Sequence, residues 1–216
     1  MLGLLGSHRV GKSTLAKAFA MKTGALNIEM NISKIQKEIG YDSSNQSYDF
    51  DTRMIIQEHV LKRLEEIYAE YQGEDAVCDR TPLDLVGYTM LAVSDSLSEA
   101  QGERLLRYIE DCITLTNKVF TAIVLVQPGI PLSEAVTSAK SNLGLMEKLN
   151  LIYLGLITDE RTTVPHFYIP KDMTNLDHRL KACDLALAKA KRKLSRNTSH
   201  RSDRIGGIEF STATYQ

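Results

Sequence analysis

The sequence predicts an α/β fold, a parallel sheet with helices on both faces, and three observations predict it. A short apolar run at residues 1–5 leads at once into Gly6-Ser7-His8-Arg9-Val10-Gly11-Lys12-Ser13-Thr14 and then into a helical pattern. Ala122-Ile123-Val124-Leu125-Val126 is an unbroken apolar run ended by Pro128-Gly129, as expected of a strand buried on both faces. Strand patterns alternate with helical ones along the chain, which is the order that crossover connections produce.

Taken in order, Leu15, Ala18, Phe19 and Met21 give the first helix its apolar positions, and Gly24 is its natural stop. Residues 25–30 alternate apolar and polar, so they read as a short strand. A short helix over 32–39 ends at Gly40, and the polar stretch 41–48 reads as a loop. A long helix over 51–71 follows, with Ile55, Ile56, Val60, Leu64, Ile67 and Tyr68 at helical spacing and Asp51 or Thr52 as its cap. Ala76-Val77-Cys78 is the next strand, and it delivers Asp79-Arg80-Thr81-Pro82 at its carboxyl end. Pro82 suits the first turn of a helix over 83–93, and a second helix covers 99–116. After the central strand at 121–127, a mostly helical stretch over 132–157, a last strand over 163–169 and an amphipathic, lysine-rich helix over 175–194 complete a domain spanning 1–194. Residues 195–216, rich in Ser and Thr and partly basic, read as a flexible tail.

The 216 residues suit one domain with a full-sized core, and a net charge of -1 argues against a wholly basic nucleic-acid binder. No apolar run is long enough to span a bilayer and no signal peptide is visible. Cys78, Cys112 and Cys183 are widely spaced and odd in number, so they read as reduced thiols of a cytoplasmic protein.

Residues 6–14 carry the chemistry. Two glycines flanking four residues, followed by Lys and Ser between a strand and a helix, form the phosphate-binding P-loop pattern. Gly6 and Gly11 permit backbone angles that turn successive N–H groups inward, and these with the helix start cradle phosphate oxygens. Lys12 adds a mobile charge that reaches the β- and γ-phosphates, and the Ser13 hydroxyl suits Mg²⁺. Asp79, at a neighbouring strand end, has two possible uses: it can take a proton from an attacking hydroxyl or hold Mg²⁺ through water. Arg80 beside it can neutralise a phosphoryl group in transfer or hold the acceptor. Both segments lie at strand carboxyl ends, where sheets of this kind bind ligands.

These residues resemble the P-loop nucleoside and nucleotide kinases, the group of the deoxynucleoside, thymidylate and ribosylnicotinamide kinases. The resemblance rests on residues 6–14, on the helix carrying Arg53 and Gln57, and on Val77-Cys78-Asp79-Arg80-Thr81-Pro82-Leu83-Asp84 leading to Tyr88. That last string is similar to one in kinase-like proteins of phages. The resemblance covers residues 1 to about 194 and implies a five-stranded parallel sheet of order 2-3-1-4-5. It further implies ATP and Mg²⁺ as cofactors and an acceptor of nucleoside or nucleotide type. Asp79, Lys12 and Arg80 would be catalytic, with Ser7, His8, Arg9, Val10 and Thr14 joining Gly6, Gly11, Lys12 and Ser13 around the nucleotide. Ser13 and Asp79 would hold the metal, and Arg53, Gln57, Arg80 and Asp84 the acceptor. Gln57 reads equally as a base-pairing residue or as a solvated helix position, and Arg53 has a similar balance. His59 reads as a helix-surface or packing histidine.

One departure from that group is the lid. Its kinases carry arginines between the fourth and fifth strands, whereas residues 129–161 here offer Lys140, Lys148 and Arg161. Arg9 can replace the missing cation, Lys140 and Arg161 can close over the phosphates, or the lid has decayed. The phage-like string and the basic residues over 181–204 suggest a hydroxymethylated pyrimidine in DNA as one acceptor, although such a helix is usually a solvated face. The competing class is a nucleotide switch or motor that phosphorylates no acceptor. Thr116-Asn117-Lys118-Val119 lacks the guanine-reading pattern of a GTPase, and no apolar run ends in Asp-Glu as in oligomeric ATPases. A non-catalytic module that keeps its P-loop for structure is the third reading.

Overall fold

The computed structural model describes residues 1–41, 48–93, 96–130 and 143–205, with side chains described as far as 196. Five strands form one parallel sheet: β1 (Leu2–Leu5), β2 (Leu26–Ile28), β3 (Ala76–Cys78), β4 (Ala122–Val126) and β5 (His166–Ile169), in the order β2-β3-β1-β4-β5. This is the order the resemblance implied. β1 is central, with Leu2 opposite Val77 on one side and Ala122 on the other. Seven helices are described: α1 (Lys12–Thr23), α2 (Ile32–Glu38), α3 (Phe50–Glu70), α4 (Pro82–Ala92), α5 (Glu99–Val119), α6 (Leu143–Thr158) and α7 (Leu176–Ile205).

Strict alternation along buried strands divides the core in two. Ala122, Val124 and Val126 of β4 join Leu2 and Leu4 against α1 and α7. Ile123 and Leu125 point the other way, with Leu5 and Cys78, into a larger cluster built from α3, α4, α5 and α6. Both faces of the sheet's centre are therefore covered, which is why β1, β3 and β4 read as continuous apolar runs, while the edge strands β2 and β5 are partly exposed.

Helix ends follow the local chemistry. Gly24, in the left-handed region at φ 75°, closes α1. The side chain that caps α3 is Asp49, accepting from Thr52 N at 2.7 Å, and not Asp51 or Thr52 as expected. Asp49 is extended while the next residues are already helical, as a cap requires. Pro82 opens α4 within a capping box of Thr81 and Asp84. The last helix continues past the expected boundary at 194 as far as Ile205, and the rest of the expected tail, 206–216, lies outside the described residues. Most of the expected polar loop before α3 and the first part of the expected 132–157 helix, with Lys140, lie outside them as well.

The helices run opposite to the strands, which fixes the two ends of the molecule. α1 and α7 start beside the strand carboxyl ends and descend together, so that Lys22 of α1 pairs with Asp184 and Lys191 reaches Asp75, just before β3. The P-loop, Asp79 and Arg80 occupy the carboxyl end. Arg161, Asn117 and the first residue, whose amino group donates to Thr121 Oγ1 at 3.2 Å, occupy the amino end.

Candidate functional site

The loop between β1 and α1 has the geometry that an anion needs. Gly6 adopts φ 151°, and a Cβ there would sit 2.6 Å from the Val126 carbonyl oxygen, so no side chain fits. Arg9 and Gly11 hold left-handed φ values of 61° and 84°, and Arg9 is the one non-glycine described with a positive φ. Alternating backbone angles of this kind gather N–H groups into one concavity at the start of α1.

Lys12 closes the loop on itself. Its Nζ donates to the carbonyls of Gly6 at 2.5 Å and Ser7 at 2.8 Å, and lies 4.0 Å from Asp84 Oδ1. Burial lowers its pKa from 10.5 to about 8, with Asp84 pulling in the opposite direction and Arg80 adding to the fall. The next residue joins the loop to β3: Ser13 Oγ donates to Asp79 Oδ2 at 2.5 Å, while Asp79 Oδ1 accepts from Met30 N at 3.4 Å. Residues 66 positions apart thus meet at two adjacent strand ends. A hydroxyl and a carboxylate beside a phosphate cradle form an oxygen donor set that suits Mg²⁺, which keeps several waters and takes few protein ligands. His8 is half-buried in the same loop, and burial first, then the charges of Lys12, Arg9 and Arg80, push its pKa down.

Arg80 and Asp84 form the layer beneath. The Arg80 guanidinium stands 5.8 Å from the Tyr88 ring centre and 3.5 Å from Asp84 Oδ1. Burial opposes its charge, but Asp84 and Tyr88 outweigh that and hold it firmly protonated. The Arg80 backbone is fixed too, because its carbonyl accepts from Tyr68 OH at 3.2 Å. Asp84, expected to meet the acceptor, is only 1% exposed. Its Oδ2 accepts from Thr81 N at 2.8 Å and Thr81 Oγ1 at 3.0 Å, and Oδ1 faces Lys12 and Arg80 without a hydrogen bond. Its place is therefore that of a shared counter-charge to the two cations. Burial raises its own pKa, the two cations working against the rise.

Gln57 is buried on α3 and its Oε1 accepts from Tyr108 OH of α5 at 3.3 Å, so it is not a solvated helix position. Arg53, one turn earlier, is half-buried. His59 is half-buried with a buried Nε2 that has no partner, in keeping with a packing position. The lid residues divide. Lys148 is exposed on α6, whereas Arg161 lies at the amino end of the sheet, bound to Asp159 and Glu110. Arg161 cannot close over a phosphate in the P-loop, because it precedes β5 and the P-loop follows β1. Cys78 is buried and its thiol is pushed up to about 12 by that burial, so it packs rather than reacts.

The site also holds residues that sequence reasoning missed. Thr81, within residues 77–84, and Tyr88, just after them, had no role assigned, and Arg179, on α7, lies against the P-loop although 169 positions separate it from Val10. The fold is that of the P-loop nucleoside kinases. A solved structure described as deoxyadenosine kinase from M. mycoides with bound dCTP matches with a TM-score of 0.55 at 14% identity, over 87% of this chain and 98% of that one. The form described with bound dATP matches with a TM-score of 0.56 at 13% identity over the same shares. No family model and no curated protein matches the chain.

Proposed function

We propose that this chain is an ATP- and Mg²⁺-dependent kinase that phosphorylates an acceptor of nucleoside or nucleotide type. The observation that carries the reading is the 2.5 Å contact between Ser13 and Asp79, which joins the phosphate loop to the strand end where an acceptor would be activated. The nucleoside kinase structures that share the fold, with dATP or dCTP named as their ligands, support it.

In this reading the inward N–H groups of residues 6–14 and Lys12 bind the donor's β- and γ-phosphates and fix them for in-line attack. Mg²⁺, held by the Ser13 hydroxyl and the Asp79 carboxylate, would supply neutralisation of the phosphate charge. Asp79 orients the acceptor hydroxyl and takes its proton as the new P–O bond forms and the bond to the leaving ADP oxygen breaks. Arg80, kept charged by Asp84 and steadied by Tyr88, offsets negative charge on the phosphoryl group. Arg53 and Gln57 are the acceptor-side residues, Gln57 held in orientation by Tyr108. Arg9, in the P-loop itself, is the proposed replacement for a lid arginine; Arg161 lies at the other end of the sheet, and Lys140 lies outside the described residues.

Within this reading, a hydroxymethylated pyrimidine in DNA is the finer proposal for the acceptor. It rests on the phage-like string over 77–84 alone, because the basic residues of α7 from Lys189 to Arg196 lie toward the amino end, away from the P-loop. The test is transfer of labelled γ-phosphate from Mg·ATP to nucleosides, nucleoside monophosphates, ribosylnicotinamide, and DNA with or without hydroxymethyl pyrimidines. Transfer to one acceptor class, abolished by Asp79→Asn and Lys12→Ala, is the expected result. Acceptor-independent hydrolysis with no transfer would overturn the proposal and make the protein a switch or motor.

A further inference from the structure

Arg179 is the largest fully buried side chain described, 1% exposed, and it has no carboxylate partner among the described residues. Buried arginines are ordinarily paired with an acid, because a desolvated charge is costly. Here the guanidinium spends its donors on two carbonyls from different loops. Nε donates to Met173 O at 2.6 Å, in the connection between β5 and α7, and Nη1 donates to Val10 O at 2.9 Å, inside the P-loop. Nη2 is buried with no partner. The same Nη1 lies 3.5 Å from where a Cβ on Gly11 would stand, so the guanidinium presses against the residue that precedes Lys12.

Arg179 itself and the Met173 anchor of this bridge are fixed from their own side. The first turn of α7 is set by Asn175, whose side chain accepts from His178 N at 3.1 Å and whose carbonyl accepts from Arg179 N at 3.1 Å. Met173 N donates to Pro170 O at 3.1 Å, closing a turn just after β5. That turn is locked to the exit of β4, since a side chain at Gly129 would collide with the Lys171 carbonyl, and Gln127 N donates to Ile169 O at 3.2 Å. Arg179 therefore ties a loop that owes its shape to left-handed residues at 9 and 11 to the stiff ends of β4 and β5.

We propose that Arg179 is a positioning residue for the donor nucleotide: its two-point bridge holds Val10 and Gly11 so that the N–H cradle is formed before phosphate arrives, and its charge, buried behind that cradle, favours an anion within it. The proposal rests on the kinase reading for the identity of the anion but not for the state of the empty loop. A carbonyl that accepts a hydrogen bond on the outer side of a turn orients the following N–H toward the inner side, because the two belong to one planar peptide. The planar fork is what matters, since it reaches carbonyls of two different loops from separate nitrogens in a fixed geometry, whereas a lysine ammonium is a single point charge on a flexible stem and glutamine carries no charge.

The experiment compares wild type with Arg179→Lys, Arg179→Gln and Arg179→Ala. Amide hydrogen exchange at residues 11–13 without nucleotide reads the cradle directly, and Mg·ATP affinity and steady-state constants read its consequence. Exchange at those amides is expected to quicken in all three variants. Affinity for Mg·ATP is expected to fall roughly 10- to 100-fold, as for other residues that orient a ligand's direct partners, in the order Lys, then Gln and Ala. The loss should fall on the KM for ATP, with the acceptor KM unchanged, and free guanidinium ion should restore part of it in Arg179→Ala at constant ionic strength. Unchanged exchange and unchanged affinity in a folded variant would overturn the proposal, as would an affinity loss that simply follows a fall in melting temperature and resists guanidinium. Failure of wild type to bind Mg·ATP would instead strike the kinase reading, while the exchange result would still decide the role of Arg179 in the loop.

Discussion

At the carboxyl end of the sheet, Lys12, Asp84 and Arg179 are charges withdrawn from solvent, with the half-buried Arg80 beside them, whereas at the amino end the charges are exposed and matched. Lys12 leans on two carbonyls, Asp84 Oδ1 and Arg179 Nη2 lack hydrogen bonds, and Ser7 Oγ is buried without a partner. At the other end Arg161 is held by Asp159 and Glu110, Lys191 by Asp75 and, one helix away, Lys22 by Asp184. Exposed pairs contribute little and ask for nothing further. Buried groups left short of partners are costly, and three such atoms, on Ser7, Asp84 and Arg179, lie in the P-loop and its supports, as at sites where a ligand's charge acts. The contrast separates what holds this molecule together from what it is for.

The contrast can be broken from either side, and the largest expected effects are at the carboxyl end. Asp79→Asn and Lys12→Ala should each reduce phosphoryl transfer by about 100-fold or more, measured as single-turnover formation of labelled acceptor, with circular dichroism unchanged. Asp84→Ala should cost about 3 kcal/mol of stability in chemical denaturation, because it strips two buried cations of their counter-charge and α4 of its capping box. It should weaken Mg·ATP binding as well, since Lys12 would lose its proton more easily.

A pH titration sharpens the comparison, because the two ends respond in opposite ranges. The folded pKa of Lys12 lies near 8, below the ordinary 10.5, so the unfolded chain holds more protons between these values and the Lys12 contribution to stability rises with pH across that window. Asp159, lowered from 3.8 to about 2 by its bonds to Arg161, contributes stability that is complete above 3.8 and lost as pH falls toward 2. Denaturation curves across both windows, with Lys12→Met and Asp159→Asn as controls, should remove each effect separately. The smallest expected effect is Arg161→Ala: less than about 1 kcal/mol in stability and no change in transfer, against the larger effect that a lid role would require.

The sheet was legible in the sequence because β1, β3 and β4 are short apolar runs, because β2 lies in an alternating stretch between helical patterns, and because residues 6–14 announce their own geometry. Asp79 and Arg80 were legible for the same reason, since a strand end is a place that local sequence can mark. The division of labour behind them was not. Asp84 looks like one more acidic residue after a proline, and only the packing of α4 against the loop turns it into the counter-charge of Lys12 and Arg80. Arg179 sits in a lysine-rich helix, where a cation reads as surface, and its burial depends on the descent of α7 beside α1. The mistaken cap of α3 has a local cause, since Asp49, Asp51 and Thr52 all have side chains that suit the position and the entry angle of the chain chooses among them. Arg161 was a lid residue by order in the chain alone, and topology moved it to the wrong end.

The central claim is that the charges at the carboxyl end await a polyphosphate, and proton-linked calorimetry tests it most directly. Mg·ATP would be titrated into wild type and Lys12→Met in two buffers of different ionisation enthalpy, at a pH about one unit above the 8 of free Lys12. The account requires Mg·ATP to bind wild type with uptake of most of one proton, as phosphate restores the charge on Lys12, and requires that uptake to vanish in Lys12→Met. Binding with no proton uptake, or with the same uptake in both proteins, would contradict it.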